Sequence, residues 1–124
     1  MGNHVFAIHD FEKAIELEPN YALSHFHMGV SKLKSRLIRE AIEDFKKSEL
    51  YEENPVAVYD GLGCCYHALH DFDEAIDHFN KAIEAKPYNV EFLKNRAQCY
   101  FDMNMYQAAI DDLDKALKHN SNNP

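Results

Sequence analysis

The stretch VAVYDGLGCCYHALHDFDEAIDHFNKAIEAKP, residues 56–87, decides the fold. Its second half sets Phe72, Ala75, Ile76, Phe79, Ala82 and Ile83 at intervals of three and four. Such spacing lays one apolar stripe along an α-helix, predicted here over Phe72 to Ala85. Its first half, Val56 to Leu69, keeps the same period with Tyr59, Leu62, Gly63, Tyr66 and Leu69. His70 and Asp71 form a short connection, so the two helices fold back on one another. Asn54-Pro55 and Pro87-Tyr88-Asn89 punctuate the ends. Asn54 is expected to cap the first helix, with Pro55 at its first position. Antiparallel helices approach closely only where side chains are short, which Gly63 and Ala75 provide. Tyr59, Tyr66, Phe72 and Phe79 then fill the space around the contact.

The same unit recurs every 34 residues along the chain. Ala7, Ala41, Ala75 and Ala109 share one column, and Ile8, Ile42, Ile76 and Ile110 the next. Phe11, Phe45, Phe79 and Leu113 follow, then Lys13, Lys47, Lys81 and Lys115. Gly29, Gly63 and Ala97 form a column of small residues in the other helix. A fixed period of this length is the signature of stacked helical units. Residues 1–21 then hold the second helix of a truncated unit, roughly His4 to Leu17. Whole units are expected at 22–55, 56–89 and 90–124, the last with a short Asn-rich tail. The chain is therefore expected to start within a repeat and to be part of a longer array.

Composition narrows the function. The net charge is −8, which argues against a nucleic-acid partner and against a polybasic membrane contact. Hydrophobic residues make up 46% of the chain, enough to bury a core. No run approaches the ~18 apolar residues of a membrane helix. Met1 to Ile8 lack the charge and apolar length of a secretory signal. Three cysteines, two of them adjacent at Cys64 and Cys65, fit a reducing cytosol better than a disulfide framework.

The chain resembles the tetratricopeptide repeat family over essentially its whole length. Tyr59, Leu62-Gly63, Tyr66, Phe72, Ala75, Phe79, Ala82 and Pro87 stand at that family's spacing. The first complete unit departs at Lys32 and Glu53, and the third at Arg96 and Ser121. The resemblance implies an all-α, right-handed solenoid of about seven helices. It also implies a protein–protein interaction scaffold or adaptor that holds a peptide or partner helix in a concave groove lined by the first helices.

The groove columns implied in this way are Leu23, Ala57 and Glu91; Phe26, Asp60 and Lys94; and His27, Gly61 and Asn95. Further columns are Val30, Cys64 and Gln98; Leu33, His67 and Phe101; and Lys34, Ala68 and Asp102. The candidate binding residues are therefore Leu23, Phe26, His27, Val30, Leu33, Asp60, Cys64, His67, Lys94, Asn95, Gln98 and Phe101. Their chemistry differs between copies, whereas the packing columns agree. The groove is apolar at its start and polar at its end. The apolar start serves either a ligand or the packing of a neighbouring helix. One branch of the family clamps the acidic tails of cytosolic chaperones with Lys, Asn and Arg. The corresponding residues here are Phe26, Val30, Gly61, Glu91 and Asn95, so no such tail should bind.

Other chemistry is weak. Asp60, Cys64 and His67 fall on one helical face at metal-ligand spacing, but no fourth ligand or paired motif accompanies them. Cys64 and His67 lack an orienting third group and an oxyanion donor, so no enzyme and no cofactor are expected. His25 is expected inside a helix pair, and His78 and His119 on solvated faces. The acidic runs Asp73-Glu74-Asp77 and Asp111-Asp112-Asp114 read as a solvated outer face. Two other roles remain open: an accessory segment of a multidomain enzyme, and a structural array assembling through its ends, as in cytoskeletal or ciliary complexes. Apolar stripes on the first and last helices imply self-association through the terminal helices.

Overall fold

A computed structural model describes residues 21–121, and these form six α-helices. They are α1 (Tyr21–Lys34), α2 (Ile38–Tyr51), α3 (Val56–Ala68), α4 (Phe72–Ala85), α5 (Val90–Asp102) and α6 (Tyr106–Ser121). The helix expected near His4 to Leu17 lies outside the described residues. Each helix packs chiefly on its hairpin partner, α1 on α2, α3 on α4 and α5 on α6. Successive pairs join through α2 with α3 and α4 with α5, and the first helices α1, α3 and α5 touch along one side. The chain is thus an all-α solenoid.

The helix starts show one departure from expectation. Tyr59 N–H donates to Pro55 O at 3.0 Å, so α3 begins one residue later than expected and Pro55 takes the capping position. Asn54 is pushed outside the helix, and no side chain caps α3. Asn89 does cap its helix, accepting from Phe92 N–H at 3.0 Å.

The hairpin turns repeat with the period of the sequence. Arg36, His70 and Asn104, each 34 residues apart, have φ of 69°, 62° and 63°. The following N–H closes the helix end, as in Leu37 N–H to Lys32 O at 2.8 Å and Asp71 N–H to Tyr66 O at 2.9 Å. Glycine is the usual residue there because the left-handed conformation costs a side chain about 1–2 kcal/mol. Asn104 tolerates it, whereas exposed Arg36 gains nothing visible in return. Arg36→Gly should therefore stabilise the protein by about 0.5–1 kcal/mol. Equilibrium urea unfolding checks this, and a loss of stability would contradict the strained-turn reading.

Within each pair, residue size is matched across the contact. A Cβ added to Gly29 would stand 2.8 Å from the Phe45 ring, and one added to Gly63 would stand 2.5 Å from Phe79. Phe45 and Phe79 are fully buried. Gly61 of the next pair also presses on Phe45. In the third pair the column changes on both sides, to Ala97 and Leu113, so a larger small residue meets a smaller large one.

The departures from the family pattern carry their own partners. Lys32 Nζ lies 2.6 Å from Asp44 Oδ2, and His25 Nδ1–H donates to Asp44 Oδ1 at 2.8 Å, all three largely buried. Arg96 donates to both oxygens of Asp112, at 2.8 and 2.6 Å, and to Asn80 Oδ1 at 2.8 Å. Asp44, His78 and Asp112 share one column. His25 sits inside, as expected. Asp112 does not belong to a solvated face: it is buried to 3% exposure because Arg96 reaches it from the paired helix. Asp73, Glu74, Asp77, Asp111 and Asp114 are exposed. The expectation for His78 and His119 also changes. His78 stacks on Tyr66 with ring centroids 5.3 Å apart, and His119 lies against Tyr88 at 4.0 Å.

Candidate partner-binding groove

The first helices α1, α3 and α5 carry all twelve candidate residues, and their neighbouring edges form a seam. Asn95 Nδ2 donates to Asp60 Oδ1 at 2.9 Å across α3 and α5. His67 Nε2–H donates to Asp102 Oδ2 at 2.6 Å one stretch further along. Both pairs are 35 residues apart, so one register joins the two helices. Applied to α1 and α3, the same register sets Phe26 opposite Gly61 and Leu33 opposite Ala68. Phe26, Val30 and Leu33 indeed pack on the buried cluster of Ala41, Ile42, Phe45, Val58, Leu62 and Cys65. The apolar start of the groove therefore takes part in packing within the described chain. The columns change chemistry from copy to copy in matched pairs: apolar on apolar in one seam, polar on polar in the next.

This partition decides which candidates reach solvent. Leu23, His27, Lys94, Gln98 and Phe101 are exposed, whereas Phe26, Val30, Leu33, Asp60, Cys64, His67 and Asn95 are half-buried. Asp102 completes the polar seam by accepting from both His67 and Gln98. Sequence reasoning placed Asp102 in a groove column without seeing its partner. Nothing within one unit marks that pairing, because it forms between two units.

The environment sets the protonation states. Burial pushes the Asp60 carboxyl above the usual range, aided by Glu91 and opposed by the Asn95 hydrogen bond. The His67 hydrogen bond holds exposed Asp102 below that range. The two carboxyls should therefore titrate in the order Asp102 first, Asp60 later, as pH rises. Folded Asp60 keeps its proton above the unfolded pKa, so its contribution to stability declines as pH rises through that window. The contribution of Asp102 is present above the ordinary carboxylate range and is lost as pH falls through its lowered value. Carboxyl-detected NMR titration reads both directly, and the reverse order would refute the seam pairing.

The three thiols are buried or half-buried. Burial pushes Cys64 and Cys65 up to about 12 and Cys99 up to about 11, with Asp60 adding to the effect at Cys64. A thiolate is the nucleophile, and burial disfavours that form at all three positions. Asp60 and His67 turn toward α5 rather than converge with Cys64. Among the described residues, no three of His, Cys, Asp and Glu come together as a metal cluster. None of the described helices is long and apolar enough to cross a membrane.

A seam of paired first helices, repeated at 34 residues, is the arrangement of an interaction scaffold. The chain belongs to the tetratricopeptide repeat family, whose model matches residues 61–89 and 90–123, together half of the chain. Such repeats mediate protein–protein interaction. No curated protein matches it in sequence. Among solved structures it is similar to MamA from Desulfovibrio magneticus RS-1, from residue 41 to the end. That likeness has a TM-score of 0.90 at 17% identity, over 98% of this chain and 69% of that one. A second MamA crystal structure gives a TM-score of 0.84 at 20% identity, over 93% and 67%. The chain spans about two thirds of the length of these structures, and the likeness is one of fold.

Proposed function

We propose that this chain is a non-catalytic scaffold or adaptor that holds a peptide or helix of a protein partner in the groove of α1, α3 and α5. The observation that carries the reading is the division of labour on the first helices. Half-buried residues close the seams, while Leu23, His27, Lys94, Gln98 and Phe101 stay exposed beside them. Family membership supports it further. The domain reading for the described part is three units at 22–55, 56–89 and 90–124, and the setting is the cytosol. Acidic chaperone tails are not the ligand, because Glu91 would repel their carboxylates and the clamp residues are missing.

Affinity capture with a paired control tests the groove. Leu23→Asp combined with Gln98→Ala changes exposed groove positions, whereas Asp114→Lys changes an exposed position on α6 outside the candidate set. A protein bound by the native chain and by Asp114→Lys, but lost with the groove variant, supports the reading. Equal capture by all three would sink it.

A second reading is self-association through the terminal helices. It is favoured by the exposure of Tyr106, Ile110, Leu113 and Leu117 on α6.

A further inference from the structure

The apolar columns that build the hairpins do not tell one unit from the next. Ala41, Ala75 and Ala109 are alike, and so are Ile42, Ile76 and Ile110. Gly29 of α1 takes Phe45 and Gly63 of α3 takes Phe79. By the same fit α1 would accept Phe79 of α4, and α3 would accept the smaller Leu113 of α6. Apolar packing therefore permits a slip by one unit, in which a first helix folds onto the second helix of the following unit. The two helices between them are then looped out. Misassembly of this kind is a characteristic failure of repeat chains, and the longer loop adds little entropic cost.

One column breaks the equivalence. Asp44, His78 and Asp112 occupy the same position in α2, α4 and α6. Asp44 and Asp112 are each 3% exposed, and each meets a cation from its paired helix. Asp44 has Lys32 Nζ at 2.6 Å and His25 Nδ1 at 2.8 Å, and Asp112 has the Arg96 guanidinium at 2.6 Å. The middle hairpin has neither charge. His78 Nδ1–H donates to Glu74 O within α4 at 2.9 Å, and its ring stacks on Tyr66. Where α1 and α5 carry His25, Lys32 and Arg96, α3 carries Tyr59, Tyr66 and Leu62.

A slip by one unit therefore strands charge. With α3 on α6, Asp112 would be buried against Tyr59, Leu62 and Tyr66. With α1 on α4, Lys32 and His25 would face His78. Neither arrangement supplies an opposite charge, and an unpaired buried charge is heavily penalised. An α1–α6 pair would still give Asp112 a cation, so the column discriminates between neighbouring units. Stability alone does not call for these pairs, because apolar residues of similar volume satisfy a buried site about as well.

We propose that the buried ion pairs of the first and third described hairpins are register locks, which hold each first helix to the second helix of its own unit during folding. The alternation of charged, uncharged and charged hairpins makes the lock work between neighbours.

Pulsed hydrogen exchange during refolding from urea, read by mass spectrometry of peptide fragments, tests this on the full chain. One variant combines Arg96→Met with Asp112→Leu, and a second combines His25→Leu, Lys32→Met and Asp44→Leu. The first should add a population in which α4 and α5 are unprotected while α3 and α6 are protected. The second should add one in which α2 and α3 are unprotected while α1 and α4 are protected. Each population should exceed that of the native chain at least ~10-fold, since the charge that opposed it is gone. Proline isomerisation delays the native chain and the variants alike and leaves no such pattern. A variant that reaches the native protected state without its slipped population would overturn the proposal, and so would failure of both variants to reach that state.

Discussion

Gly63→Ala lowers stability by about 1–2 kcal/mol, and Gly63→Leu by about 3 kcal/mol or more. The added Cβ of either would begin 2.5 Å from the Phe79 ring, which is 1% exposed and has nowhere to retreat. Overpacking of this kind costs about 1–3 kcal/mol, and alanine's better helix propensity returns up to ~1 kcal/mol of it. The third pair supplies the remedy in the protein's own chemistry, with Ala97 and Leu113 standing in the same two columns and lining one cleft. Phe79→Leu should therefore rescue Gly63→Ala, with a coupling of at least ~1 kcal/mol in a double-mutant cycle. Equilibrium urea unfolding of the two single variants and the double variant measures it. Strictly additive losses would show that Gly63 and Phe79 do not share one packing constraint. Because neighbouring pairs stabilise one another, the single variants should also lose hydrogen-exchange protection in α2 and α5.

Arg96→Met costs about 3–5 kcal/mol, the usual loss when one partner of a buried ion pair is removed. Asp112 is 3% exposed and receives two hydrogen bonds from Arg96. Without the guanidinium its carboxylate stays buried with no counter-charge, and Asn80 loses its donor. Adding Asp112→Leu should recover most of the loss, since an apolar pair of similar volume satisfies the same site. This order of stabilities separates a buried pair from a surface one, for which both changes would be within ~1 kcal/mol of neutral. Thermal or urea unfolding decides it: a single variant as stable as the native chain would mean that Asp112 is reached by water.

The two predictions concern residues that the sequence exposed to very different degrees. The 34-residue column of Gly29, Gly63 and Ala97 announces a close helix contact from the sequence alone, because a missing side chain leaves a mark in the periodicity. The Arg96 pair left a fainter one. Arg96 stood out as a departure, but Asp112 sat inside an acidic run and looked like the solvated face of an amphipathic helix. Only the paired helix could show that this aspartate points inward.

Local pattern therefore determined the element type, the period, the pairing of helices and the small-on-large contacts, because each depends on neighbours within one unit. Helix ends are set by turn chemistry close in sequence, and Pro55 takes the capping position rather than the first turn, two placements that differ by one residue. Tertiary structure alone decided the partners of the polar residues. Asp60 with Asn95, His67 with Asp102, and Lys32 with Asp44 form across separate helices, at distances that periodicity does not encode. It also decided which candidate groove residues reach solvent. A helical face is shared between seam and solvent, and a fraction of a turn in the stacking of two helices moves a side chain from one to the other.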